Sequence, residues 1–166
     1  MLRRSALGAA GLGVLALLLF LPSRGALEVV LTKTGQAVLC AEMDDGEQFV
    51  LSFTHSVNRR PVFDTLRVDG DQLVIVKSRF DSFGAGMPET STSEGTLRVS
   101  DDGWLEWTVN RHVPEVSLFV GRVANHVLHT RGRKIALADL AEPGTSVTLR
   151  AVKISRYAAW KGRCIR

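Results

Sequence analysis

The chain has 166 residues, 45% of them apolar and 23% charged, the composition of one ordinary globular domain rather than a disordered or low-complexity chain. The formal net charge is +4, but the excess is terminal: Arg3, Arg4 and Arg24 flank the N-terminal apolar run, and Arg156, Lys161, Arg163 and Arg166 fall in the last eleven residues. The remaining 14 Lys and Arg face 17 Asp and Glu, so the body is slightly acidic and a nucleic-acid-binding face is excluded.

Residues 1–26 read as a signal peptide or single membrane anchor. A basic pair, Arg3-Arg4, precedes an uncharged run over residues 6–21, and Pro22-Ser23-Arg24-Gly25-Ala26 follows, the order of an export signal. Cleavage after Gly25 would place Ser23 at minus three. Retention is the alternative, with residues 5–22 as the anchor, since the run of about 16 apolar residues falls just short of the roughly 20 that span a bilayer. Either way the basic n-region stays cytoplasmic, and the body is expected in the periplasm or outside, secreted or held at the inner membrane.

Residues 27–155 read as a β domain. Short runs rich in Val, Ile, Leu, Thr and Phe cover 27–33, 36–42, 47–54, 62–68 and 72–80, separated by turn signals such as Asp44-Asp45-Gly46 and Asp69-Gly70. Residues 81–95 break the pattern with a long loop, a length more often functional than incidental. Further strands fit 96–99, 104–109, 115–120, 124–130 and 147–154, with a helical turn near 138–140. About nine to ten short strands without a long helix predict an all-β fold, an antiparallel sandwich or barrel, following the N-terminal signal or anchor helix. Residues 156–166 form a basic tail, expected to be solvated and frayed, with anionic lipid or an acidic partner as the alternative.

Of the two cysteines, Cys40 lies in an apolar run where a buried free thiol is the simplest expectation. An exported compartment also permits a bridge to Cys164. No Cys or His spacing matches a metal site, and no cofactor motif is present.

The chemistry concentrates in two places. The first is the bend of the hairpin at residues 53–68. With Asn58-Arg59 as a two-residue turn, His55 opposes Val62 and Phe53 opposes Asp64, which makes His55 and Asp64 diagonal neighbours on one face. A carboxylate beside an imidazole orients its tautomer or holds its charge, and Arg59 or Arg60 would add a site for a small anion. Adjacent His55 and Ser56 resemble a dyad, but neighbours on a strand point to opposite faces, and no catalytic residue is assigned. The second place is Phe83-Gly84-Ala85-Gly86, where small residues let another chain or a ligand approach the backbone. Both are expected to belong to one binding or interface surface: His55, Ser56, Arg59, Arg60 and Asp64 with Phe83, Gly84, Ala85 and Gly86.

Thr54-His55-Ser56-Val57, then Pro61-Val62 and Asp64, then Phe80-x-x-Phe83-Gly84-Ala85-Gly86-Met87-Pro88, then Val120-Gly121 ahead of His126, together resemble the family called domain of unknown function 1850. The resemblance runs from about Val30 to Val152. It implies a small exported or membrane-anchored protein associated with TAXI-type TRAP transporters of organic acids, with a transporter membrane subunit or solute receptor as partner and no known catalytic activity. A periplasmic module binding a small carboxylate, and a hydrolase using His55 and Asp64, are the alternatives.

Overall fold

A computed structural model describes residues 17–165; most of the N-terminal apolar run lies outside them. Residues 17–20 form a helical turn, and no helix among the described residues is long and apolar enough to cross a membrane. The strands that follow are β1 (Pro22–Leu31), β2 (Ala37–Glu42), β3 (Gln48–Thr54), β4 (Pro61–Asp69), β5 (Gln72–Phe80) and β6 (Thr96–Val99). After them come β7 (Leu105–Val113), β8 (Glu115–Phe119), β9 (Val127–Thr130), β10 (Arg133–Ala136) and β11 (Ser146–Ser155), with a helix α1 (Arg156–Trp160) behind the last strand.

They form two sheets, one of four strands in the order β2-β1-β11-β8 and one of seven in the order β10-β9-β3-β4-β5-β7-β6. Every pairing within them is antiparallel. The all-β expectation holds, as a sandwich and not a closed barrel. Alternation does the work: Phe49, Leu51, Leu66, Val68, Leu73 and Leu128 from the larger sheet meet Leu27, Val29, Val147 and Leu149 from the smaller in one buried core, removing apolar surface from water at about 25 cal/mol per Å².

Five consecutive residues of β1, 26 to 30, are buried, which a strand with one solvated face would not show. The second face is covered by the C-terminal segment. Ala26, Cys40, Ile154, Ala159 and Cys164 make a small core of their own there. Cys40 and Cys164 form a disulfide with Cα atoms 4.5 Å apart, so the free thiol expected at Cys40 gives way to the bridge. The tail does not fray. Ser155 caps α1 by accepting from the Ala158 N–H, and Ile165 exchanges main-chain bonds with Cys40 and Glu42 along the edge of β2. Covering an edge strand in this way also blocks unwanted strand pairing.

Three other details differ from the sequence reading. β1 begins at Pro22, not at 27, so residues assigned to the signal region pair with β11 from Ser155 to Val152. β10 lies in a segment to which the sequence reading assigns no element: Arg133 and Lys134 interrupt any apolar run there, but the strand is the edge of the larger sheet, where charge is tolerated. The strand expected over 124–130 starts only at Val127.

The register gives the sandwich two poles. β3 ends, β4 begins, β5 ends, β8 ends and β9 begins at one pole, the head. The start of β1, the end of β11 and α1 lie at the other. Ten residues of β1 separate them, about 30 Å at 3.3 Å per residue.

Candidate functional site

Three loops meet at the head. The first, residues 55–60, is not the two-residue turn expected. Phe53 pairs with Val62 and Thr54 with Pro61, two residues out of the anticipated register. A tight turn of the favoured type needs positive φ at both central residues; here Arg59 has φ 59° and Asn58 is not among the positive-φ residues. The chain makes a six-residue loop instead. It is closed by the His55 N–H donating to the Arg60 carbonyl at 2.8 Å and the Arg59 N–H to the His55 carbonyl at 3.0 Å. The Asn58 carboxamide oxygen accepts from the Arg60 N–H at 3.1 Å.

The second loop is the glycine-rich one, and it is bound to the first. Asn58 Nδ2 donates to the carbonyls of Ser82 at 3.4 Å and Phe83 at 3.2 Å. Arg60 forms an ion pair with Asp81, its Nε donating to Oδ1 at 3.0 Å. Gly84 makes this approach fit: a Cβ there would stand 2.7 Å from Asn58 Nδ2 and 3.6 Å from His55 Cε1. The third loop, residues 120–126, is tied in by the Thr54 N–H donating to the Ala124 carbonyl at 2.7 Å and by the His126 ring against Phe53, centroids 5.6 Å apart.

At this pole Val57, Phe83 and Val123 are exposed, at 66%, 47% and 52%. The same three loops carry Ser56, Arg59, Arg60, Ala85, Gly86, Arg122 and Asn125, all exposed. One exposed apolar side chain on each of three adjoining loops, with arginine and small residues on the same loops, supplies the residue types in which protein contacts are enriched. Asn58, Asp81 and Val123 carry no local signal of these roles: Asn58 suits a turn, Asp81 opens an irregular loop, and Val123 borders a strand-like segment.

His55 and Asp64 are not partners. His55, half-buried in the loop, has Nδ1 within 3.3 Å of the Val57 N–H. Asp64 sits on β4 opposite Leu51 and Ser78, on the same face as Val62 and Leu66, and accepts from Ser78 Oγ at 2.5 Å. Burial pushes its carboxyl above the ordinary range, against the opposing pull of the Ser78 bond. The two-residue register error is the reason the diagonal pair does not form. Thus His55, Ser56, Arg59 and Arg60 come together with Phe83, Gly84, Ala85 and Gly86, and Asp64 stands apart from them.

A second concave region lies on the outer face of the larger sheet. It is a groove of about 730 Å³ between Phe63, Trp104, Lys77 and Arg79. Its cations are already matched: Lys77 to Glu106 at 2.5 Å, and Arg79 to Asp102 while lying over the Trp104 ring at 4.9 Å. Among the described residues, no group of three or more His, Cys, Asp or Glu side chains could hold a metal ion.

Residues 49–137, more than half of the chain, match the family described as Domain of unknown function (DUF1850). That interval begins in β3, ends just after β10 and contains all three head loops. No curated protein and no solved structure matches the chain.

Proposed function

This chain belongs to the domain of unknown function 1850 family, and we propose that it is an exported accessory protein whose head docks on a solute transporter. The observation that carries the reading is the joining of the two chemically marked segments. Asn58 and Arg60 lock the 55–60 loop to the glycine-rich loop, and the two joined loops each expose an apolar side chain, Val57 and Phe83, along with basic residues. An exposed apolar patch built on locked loops suits a protein partner. The transporter class is what the family resemblance implies: the membrane subunit or solute receptor of a TAXI-type TRAP system for organic acids. The Cys40–Cys164 bridge supports an oxidising, extracytoplasmic setting, as does the N-terminal sequence pattern.

The alternatives have less support. For a small-carboxylate site, Arg60 is engaged by Asp81 and Asn58 fills the approach to Gly84. For a hydrolase, the His55–Asp64 pair on which that reading rested is not formed.

The test is affinity purification of the tagged full chain from native membranes, comparing the parent with Val57→Glu and Val123→Glu. Both positions are exposed, so folding is expected to survive. Recovery of a multi-spanning transporter subunit with the parent, and its loss with either variant, is the expected result. Equal recovery with parent and variants removes the head from the contact, and recovery of the chain alone removes the accessory reading.

A further inference from the structure

The pole opposite the head carries a different surface. Phe20 packs at a tilt against Tyr157 with ring centroids 5.0 Å apart, and Tyr157 against Trp160 at 6.1 Å. These rings are open to water, at 58%, 37% and 74% exposure. A tryptophan this exposed has no role in the core, and three contiguous aromatics form an apolar patch that ordinary solvated surfaces avoid. The charge beside them is mainly positive. Arg24, Arg156 and Glu42 line a hollow together with Trp160, and Lys161 lies over the Tyr157 ring at 5.6 Å. Residues 156–166 contain no acid.

The chain enters this cluster directly from the apolar run. Leu17 to Leu21 are exposed, Phe20 is already in the ring cluster, and Pro22 is paired with Ser155. Only Leu21 separates the cluster from the sheet, about 7 Å of chain from Phe20 to Pro22. There is no linker. Phe20 thus belongs both to the end of the apolar run and to the aromatic cluster. The start of β1 is also part of the fold: the Gly25 carbonyl accepts from the Met43 N–H at 3.1 Å, and a Cβ on Gly25 would stand 2.3 Å from the Met43 carbonyl oxygen. Cutting at the expected position would remove residues that pair with β11.

We propose that the chain is retained uncleaved and that Phe20, Tyr157 and Trp160, with Arg24, Arg156 and Lys161, form a foot that seats the domain on an anionic lipid surface. Amphipathic rings place their apolar bodies at the boundary between headgroups and acyl chains. The basic side chains meet lipid phosphates, an attraction that fades beyond a Debye length. The rigid sandwich then holds the head about 30 Å from the bilayer. This inference rests on the foot alone and is independent of what the head binds.

The test reconstitutes the full chain in phosphatidylcholine vesicles, with or without an equal share of phosphatidylglycerol, using lipids brominated near the headgroup to quench tryptophan. Trp160→Phe isolates the Trp160 contribution from Trp104 and Trp107, and Lys161→Glu tests the charge at an exposed position. The expected result is quenching in the anionic vesicles that Trp160→Phe mostly abolishes, that Lys161→Glu weakens and that added salt weakens. Thermal unfolding confirms that each variant is folded. Equal quenching in parent and Trp160→Phe, or equal quenching in neutral and anionic vesicles, overturns the proposal. So does an intact mass from native membranes showing a chain that starts after Gly25.

Discussion

Asn58 donates its side-chain amide to the main-chain carbonyl of Phe83 at 3.2 Å, across 25 residues of sequence. One short polar side chain thereby joins the two most chemically marked loops of the domain. It also occupies the space in which a side chain on residue 84 would lie.

Asn58→Ala removes both bonds to the second loop and the bond from the Arg60 N–H. The expected cost is about 1–2 kcal/mol, read by chemical denaturation. Gly84→Ala displaces the same amide and should cost a similar amount. Because both act on one contact, the double variant should fall well short of the sum. Full additivity would mean that the two loops are held together by something else.

The disulfide closes 124 residues of sequence, and the tail it secures covers the edge of β2. Cys40→Ser with Cys164→Ser is expected to cost about 2–5 kcal/mol. Amide exchange should rise first in β2 and α1. Exchange rising uniformly through the larger sheet instead would mean that the tail is not a separate cooperative layer.

Glu28 is buried, yet it accepts from Arg150 and Arg163 at 3.1 Å each. It fastens the tail to β1 beside the disulfide. Glu28→Gln keeps an acceptor and removes the charge, while Glu28→Ala removes both. We expect the alanine variant to lose about 1–3 kcal/mol and the glutamine variant less. Equal losses would show that charge, not hydrogen bonding, sets the contribution.

Two partly buried groups contribute to the pH response in opposite senses. Asp64 is held above the ordinary carboxylate value by burial, so the folded state grips its proton more tightly than the unfolded chain. Its stabilising contribution is present in acid and is lost as pH rises through the folded value. Asp64→Asn should therefore be more stable than the parent at neutral pH, with the gap closing toward acid. His126 is lowered by burial; its contribution is present above the ordinary histidine value and lost as pH falls through the folded one. His126→Gln should reduce the loss of stability on mild acidification. Thermal midpoints from pH 4 to 8 check both signs, and an Asp64→Asn gap that widens toward acid contradicts the assignment.

Much of the β architecture was legible because alternation and turn chemistry are local. Phe49, Leu51 and Phe53 mark one face of β3 whatever lies opposite, and Asp69-Gly70 marks a hairpin without knowledge of the fold. The His55 and Gly84 segments stood out for the same reason: their residue types suit no regular strand. What sequence could not decide were relations set by long-range register and covering layers. The 55–60 loop took six residues because Asn58 found better acceptors in Ser82 and Phe83 than a tight turn offers, and this moved Asp64 away from His55. Cys40 met Cys164, and residues from Pro22 joined β1, because α1 and the tail cover the second face of the smaller sheet. Such choices depend on side chains that meet across 25 to 124 residues of chain. Local composition determined which segments would be strands and which would be marked loops; only the tertiary packing decided which loops touch, because contact energy is gained only where distant surfaces fit.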